Sequence, residues 1–193
     1  MTQSGHGEAV LLLAHGGPES LDDLPRFLAD VRGSAPSPQG LRAARERYAA
    51  IGGRSPMPAA TKRIAGLLAE TSGRDVAVGF RHSPPGIAAA VTDLAVRAPA
   101  RIVALCMAPH FSHVGPGSYL RRCREAAAGT GLADRLVEIP DWHLADGLLS
   151  YWAQTVRTAV HDAESERVAN AAVEVVFTAH SIPLDREPAD SPY

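Results

Sequence analysis

Cysteine and net charge are both scarce in this sequence. The 193 residues include two cysteines, Cys106 and Cys123, which are not spaced as a metal-binding pair. We therefore expect two buried thiols in a reducing compartment, and neither a disulfide framework nor a cysteine metal site. The formal net charge is −2, so the chain has no bulk attraction for nucleic acid, and we expect no nucleic-acid partner.

Long hydrophobic runs are also missing. The apolar run 9–14 is too short for the core of a signal peptide with a cleavage site, and no stretch approaches the roughly 20 residues of a membrane-spanning helix. We expect no membrane span and a cytoplasmic location. The hydrophobic content of 46% is typical of a globular protein. The length is sufficient for one domain with a sizeable core.

What the sequence does contain is a regular alternation of strand-like and helix-like segments. Five short apolar runs predict strands: Val10–Ala14, Val76–Phe80, Ile102–Met107, Leu136–Ile139 and Val173–Thr178. Segments with apolar residues at helical spacing predict helices between them: Leu21–Val31, Leu41–Ala50, Thr61–Glu70, Ile87–Val96, Ser118–Ala128 and Leu148–Val160. This alternation predicts an α/β fold, in which helices flank both faces of a mostly parallel sheet with its first strand central.

Histidine recurs directly after the predicted strands. Five of the eight histidines occupy such positions: His15, His82, His110, His113 and His180. The carboxyl ends of parallel strands meet at one edge of a sheet, where α/β proteins bind their ligands. Neutral imidazole is a common ligand of first-row metals and titrates near neutrality. The sequence therefore predicts an open cleft that handles a metal ion or a proton.

Each of these motifs also has a simpler interpretation when it is taken alone. His15-Gly16-Gly17-Pro18 lacks the spacing of a dinucleotide fingerprint or a P-loop, and it is consistent with a tight turn around a hydrogen-bonded histidine. Gly52-Gly53-Arg54-Ser55-Pro56 is typical of a loop. Arg81-His82 suits either an anionic ligand or a surface pair. The joint placement of the histidines at one edge is what favours a site.

At these segments the chain resembles the ferrochelatases, which insert ferrous iron into a porphyrin. The likeness covers nearly the whole chain and is strongest at Leu12–Pro18, Arg47–Pro56, Ala108–Ser112, Ser118-Tyr119 and Thr178–Pro183. The segments Tyr-x-x-Ile-Gly-Gly-x-Ser-Pro and Ala-His-Ser-Ile-Pro, in this order, are quite specific to that family. The form of Ala108–Ser112 is similar to that of the bacterial, coproporphyrin-using branch.

The resemblance implies roles for individual residues. His180 matches the family's catalytic histidine, which meets the metal and the pyrrole nitrogens, and His15 falls where a tyrosine often faces the metal. The implied porphyrin-binding residues are His15, Arg32, Arg47, Tyr48, Ser55 and Tyr119. Arg32 and Arg47 would suit propionate groups through charge-assisted hydrogen bonds. Ferrous iron and the porphyrin are then substrates, and no prosthetic group is expected.

The resemblance also implies one half of a two-domain architecture. Residues 1–178 would form a chelatase-like, Rossmann-like domain, and residues 179–193 would begin a second half. The glutamate that faces the catalytic histidine in the family belongs to that second half, and no residue of this chain is an obvious substitute. A histidine after the first strand is also a feature of the small sirohydrochlorin chelatases, which act as single-domain dimers.

Three functions are consistent with these expectations. The first is a metallochelatase that makes heme or its precursor from coproporphyrin III or protoporphyrin IX. The second is a non-catalytic half-domain that binds a tetrapyrrole without inserting metal. The third is a sirohydrochlorin-type chelatase that completes its cleft as a homodimer.

Overall fold

A parallel sheet of four strands organises the chain, as a computed structural model of residues 7–166, 172–179 and 181–192 describes it. The strands are β1 (Glu8–Ala14), β2 (Asp75–Phe80), β3 (Arg101–Cys106) and β4 (Leu136–Ile139). Their spatial order is β2-β1-β3-β4, and every pairing is parallel. The predicted α/β class and the interior position of the first strand are both confirmed.

Six α-helices complete the described fold. They are α1 (Leu24–Arg32), α2 (Pro38–Ala50), α3 (Met57–Ser72), α4 (Ile87–Arg97), α5 (Pro116–Thr130) and α6 (Asp146–Glu166). Short 3-10 turns lie at Leu21–Asp23, Ala133–Arg135 and Leu184–Arg186. All six predicted helices are confirmed, with ends that differ by a few residues, as is usual for frayed helix termini.

The core lies on both faces of β1 because its apolar run is buried on both sides. Leu11 and Leu13 point to one face and pack with the cluster formed by α4 and α5. Val10 and Leu12 point to the other face and pack with Ala65 of α3. Alternate side chains of a strand face opposite sides, so a continuous hydrophobic run is the pattern expected of a doubly covered parallel strand.

The predicted fifth strand is not formed. Residues 172–179 have no regular secondary structure, and Val176 and Phe177 are 78% and 79% exposed. An apolar run indicates that a segment favours burial, but a strand also needs a hydrogen-bonding neighbour and packing on its faces. Among the described residues nothing supplies these to the segment. The domain boundary predicted at residue 178 stays a prediction.

Helix α6 carries an apolar stripe that the sheet does not cover. Its helical form confirms the prediction, yet none of its described residues is buried. Trp152 is 55% exposed and Leu149 is 49% exposed. No helix within the described ranges is both long enough and apolar enough to span a bilayer.

Candidate active site

The main cavity of the carboxyl edge brings together residues that are far apart in the sequence. Its volume is about 770 Å³. His15 enters it after β1, Arg81 and His82 after β2, and Tyr119 from the first turns of α5. Ser181, Ile182 and Pro183 also line it. The clustering at one edge is a consequence of the parallel sheet, because the strands that deliver these residues end at the same level.

The turn after β1 fixes His15 beside the end of β2. Backbone hydrogen bonds run from Arg81 N to Ala14 O at 2.9 Å and from His82 N to His15 O at 3.0 Å. Gly16 has a φ of +84°, and a Cβ atom there would overlap the hydroxyl of Ser83. Glycine at this position allows both the left-handed backbone and the close approach. The two strand-end loops are therefore held together by their backbones.

Two imidazoles stand side by side in the main cavity. The ring centroids of His15 and His82 are 4.6 Å apart. His15 Nδ1 lies 3.3 Å from Gly16 O. A carbonyl oxygen only accepts hydrogen bonds, so Nδ1 of a neutral His15 is the donor and Nε2 keeps its lone pair.

His82 is buried and is bonded to a carboxylate of α1. Its Nδ1 lies 2.5 Å from Asp30 Oδ2. Desolvation lowers the pKa of His82 below the usual 6.5, and the Asp30 hydrogen bond opposes this in part. The ring is therefore neutral near pH 7, with Nδ1–H donating to Asp30 and Nε2 unprotonated. Phe27, whose ring centroid is 6.4 Å away, contributes to its apolar surroundings.

Arg81 brings a positive charge into the main cavity. Its Nη1 donates to Val114 O at 3.2 Å, and its guanidinium carbon is 5.9 Å from the centroid of the Tyr119 ring. Its Nε is buried with no hydrogen-bond partner, and no carboxylate pairs with it, among the described residues. Desolvation lowers its pKa, followed by the neighbouring charge of Arg122. Arginine nevertheless stays charged in proteins, so this guanidinium suits an anionic ligand group.

Tyr119 forms a buried wall of the same cavity. It is 6% exposed and belongs to the core cluster under α5. Desolvation raises the pKa of its hydroxyl to about 12. The phenol therefore stays neutral at physiological pH and presents an aromatic face and a hydrogen-bond donor, but no charge.

The structure brings together some predicted site residues and separates others. His15 and Tyr119 share the main cavity. Ser55 lines a different cavity beside Pro18, whose carbonyl accepts a 2.8 Å hydrogen bond from Ser55 N. His180 lies outside the described residues, although its neighbour Ser181 lines the main cavity.

The remaining three predicted porphyrin-binding residues lie near the ends of α1 and α2. Arg32 is the last residue of α1 and is exposed, next to Val31, which lines the main cavity. Arg47 and Tyr48 lie in the last turns of α2, where Arg47 is exposed and Tyr48 is half-buried. None of the three lines the main cavity. Their predicted contact with porphyrin stays a prediction.

Asp30 and His143 are candidate residues that the sequence did not predict. Asp30 is separated from His82 by 52 positions, and only the packing of α1 beside the end of β2 brings them together. His143 follows β4, and its position after a predicted strand was the one feature of the sequence that could have identified it as a site residue. That signal was weaker here because three residues separate it from the end of β4.

A parallel α/β domain with imidazoles and an unpaired cation at its carboxyl edge is the arrangement of a ligand-binding α/β enzyme domain. The particular family is set by comparison with known proteins. The family model named Ferrochelatase matches residues 7–193. The chain belongs to the ferrochelatase family.

Individual relatives agree with this assignment. The chain is 36% identical over 185 residues to the ferrochelatase of Acidobacterium capsulatum, a match that covers 95% of this chain and 55% of the relative. It is 34% identical over 182 residues to the coproporphyrin III ferrochelatase of Anoxybacillus flavithermus, covering 90% and 57%. The corresponding protein of Bacillus pumilus is 30% identical, with 95% and 61% covered. The chain thus spans little more than half the length of these relatives.

Proposed function

We propose that this chain forms the porphyrin-binding wall of a metallochelatase that inserts ferrous iron into a porphyrin, a lyase of cytoplasmic heme biosynthesis. The observation that carries the proposal is the main cavity, in which two imidazoles and an unpaired guanidinium stand together. Membership of the ferrochelatase family supports the same reaction. The substrate would be coproporphyrin III or protoporphyrin IX, and relatives named for coproporphyrin III favour the first.

The reaction explains the need for neutral imidazoles. A free-base porphyrin releases two pyrrole protons as the divalent metal enters, so the site must provide bases that are unprotonated near neutrality. His82 meets this requirement because burial lowers its pKa. His15 lies beside it, with the ring centroids 4.6 Å apart, and is proposed as a second nitrogen ligand or base. His180 is proposed as the main catalytic histidine, on the strength of its motif.

The porphyrin side chains explain the need for cations. Propionates are carboxylates, and a guanidinium can bind one through two parallel hydrogen bonds. Arg81 offers such a group inside the main cavity, without a competing carboxylate in the described chain. Arg32 and Arg47 are proposed to bind further propionates from the ends of α1 and α2. Tyr119 provides a neutral aromatic surface for the macrocycle.

The second candidate function is tetrapyrrole binding without metal insertion. It is favoured by the lining of the main cavity, which contains no carboxylate among the described residues to act opposite the histidines. A sirohydrochlorin-type chelatase is the third candidate, in which a second copy of the chain would complete the cleft.

Zinc insertion by the purified chain tests these candidates. Coproporphyrin III and sirohydrochlorin are offered separately, and zinc incorporation is followed by the shift of the porphyrin absorption bands. We expect insertion into coproporphyrin III, with loss of insertion and retention of porphyrin binding in His180→Ala. The matched control is His161→Ala, which removes an exposed imidazole of α6.

Each alternative has its own result in this assay. Binding of coproporphyrin III without insertion by the wild type identifies the tetrapyrrole-binding half-domain. Insertion confined to sirohydrochlorin, from a dimer, identifies the third candidate. If His180→Ala inserts zinc at the rate of the wild type, the catalytic role of that histidine is contradicted.

A further inference from the structure

A second cavity lies beside the main one and contains a different histidine pair. Its volume is about 500 Å³, and the residues that line it include His110, Asp141 and His143. Ser181 lines both this second cavity and the main cavity. The two cavities therefore meet at the segment that contains the proposed catalytic motif.

Trp142 holds together the two loops that form the second cavity. Its Nε1 donates to Cys106 O at 2.7 Å, and its backbone N donates to Pro109 O at 2.9 Å. One hydrogen bond thus fixes the end of β3, and the other fixes the residue directly before His110. The loop after β4 is thus bound to the end of β3 and to the loop after it through both the side chain and the backbone of Trp142. The histidines that the loops carry are positioned by these bonds before any ligand arrives.

His110 and His143 lie against each other as a result. Their ring centroids are 5.0 Å apart, with an angle of 29° between the ring planes. An imidazole nitrogen presents its lone pair in the plane of its ring, so near-parallel rings need a small side-chain rotation before one nitrogen of each binds the same cation. Imidazole nitrogens are ligands of borderline divalent ions such as Fe²⁺, Co²⁺ and Zn²⁺.

Asp141 completes the arrangement from behind. Its Oδ1 lies 3.4 Å from Nδ1 of His143, an ion-pair distance without hydrogen-bond alignment. That Nδ1 is buried and has no hydrogen-bond partner among the described residues. The Asp141 carboxylate therefore adds negative charge beside the two histidines, which favours a cation in the second cavity.

We infer that His110 and His143 form a loading site for the divalent metal substrate, from which the ion passes to the main cavity. The inference rests on the proposed function. The described residues contain no cluster of three histidine, cysteine or acidic ligands, so the ion would complete its coordination with water. Few protein ligands suit a substrate ion in transit, because that ion must be released.

Binding of Co²⁺ to the chain without porphyrin tests the site. Co²⁺ is used because its visible absorption reports nitrogen ligation, and calorimetry counts the sites. We expect His110→Ala and His143→Ala each to remove the same Co²⁺ site, and Asp141→Asn to weaken it by about tenfold. His113→Ala is the matched control, because His113 lies in the same loop but makes an edge-to-face contact with Phe111. Its Co²⁺ binding should equal that of the wild type.

Unchanged Co²⁺ binding in His110→Ala overturns the site. His110 is exposed, so this variant keeps its fold and decides the question even if His143→Ala unfolds. A loss of Co²⁺ binding that is equally large in His113→Ala also overturns it, because the loop as a whole would then be responsible. Porphyrin is absent from this experiment, so its result does not depend on whether the chain inserts metal.

A second measurement tests the transfer of the ion. Zinc insertion into coproporphyrin III is measured at limiting and at saturating zinc. Loss of a loading site should raise the KM for zinc by about tenfold or more and leave kcat and the KM for porphyrin unchanged. An unchanged KM for zinc in variants that have lost Co²⁺ binding contradicts the transfer. Absence of insertion in the wild type contradicts the proposed function and leaves the metal site standing.

Discussion

His82 combines burial, a carboxylate partner and a neighbouring imidazole in a single residue. It is 8% exposed, with Asp30 on one side and His15 on the other. Desolvation lowers its pKa because the charged imidazolium is less well solvated in this pocket than in water. The same burial that makes it a base at neutral pH makes it a source of acid instability.

We expect the free energy of unfolding to fall as the pH drops below 6.5, the usual pKa of histidine. In that range the unfolded chain binds the proton of His82 before the folded chain does, so acid favours unfolding. Above pH 6.5 both states are neutral and the effect vanishes. The free energy of unfolding of His82→Gln should fall less steeply than that of the wild type between pH 6.5 and the lower pKa of His82 in the folded state. Urea denaturation across this range measures the slopes.

Asp30→Ala should have the opposite effect to His82→Gln and make the free energy of unfolding more sensitive to acid. The Asp30 hydrogen bond raises the pKa of His82 in part, so its removal lowers that pKa further and widens the acid-sensitive range. The Cε1–H signal of His82 in a proton NMR titration should move its midpoint to lower pH. A midpoint at or above that of the wild type contradicts the assignment of the 2.5 Å contact as a stabilising hydrogen bond.

Residues of the site were predictable where their position directly after a strand is enough to place them at the sheet edge. His15 and His82 come directly after strands, and parallel strands place the residues at their carboxyl ends along one edge of the sheet. Asp30 was not predictable, because its contact with His82 depends on the rotation and placement of α1. Tyr119 was placed by resemblance, and only the structure shows that it is a buried wall.

Individual helices contribute unequally to the fold. Leu94 of α4 is fully buried against β1 and α5 in the largest core cluster, whereas α6 has no buried residue in its described length. Both helices are amphipathic in sequence, so periodicity alone did not distinguish them. The difference arises because α4 connects β2 to β3 and so crosses the face of β1, while α6 follows β4 and leads to no further described strand.

Leu94→Ala should lower the free energy of unfolding by about 2–5 kcal/mol, because it leaves a cavity in the core. Trp152→Ala removes a larger side chain but one that is 55% exposed. It should change the stability by no more than about 0.5 kcal/mol. Chemical denaturation of both variants measures the difference. A large cost for Trp152→Ala would show that α6 is packed in solution.

The strands show how far an apolar run can be interpreted. Four predicted runs formed the sheet, and each has a hydrogen-bonded neighbour in it. The run over residues 173–178 has comparable composition but remains exposed. The composition of a segment indicates that it favours burial. Strand pairing also requires a neighbouring strand and side chains that pack on its faces.

The molecule as a whole presents its functional groups on one edge of the sheet. The main cavity depends on loops that come after β1, β2 and β3, so it exists only when the sheet is folded. A ligand of that cavity binds the native state alone and must stabilise it. The family assignment and the sheet were predictable from the sequence, but the division into two cavities was not.

Coproporphyrin III should therefore raise the unfolding temperature of the chain. At a free concentration of 100 times the dissociation constant, the stabilisation is about 2.7 kcal/mol. Arg81→Ala should weaken binding and reduce the shift, because it removes an unpaired cation of the main cavity. Replacement of Arg157, an exposed cation of α6, is the control and should leave the shift unchanged. Equal shifts in both variants would place the porphyrin elsewhere.

The indole of Trp142 is an intrinsic fluorescent probe at this edge of the molecule. The chain has two tryptophans, and they differ in surroundings: Trp142 is half-buried and bonded to Cys106 O, whereas Trp152 is largely in water. Their emission maxima should be separated accordingly. Trp152→Phe leaves a single emitter next to the stacked imidazoles, and both Co²⁺ and porphyrin quench indole fluorescence. Occupancy of this edge can then be followed in real time without any attached label.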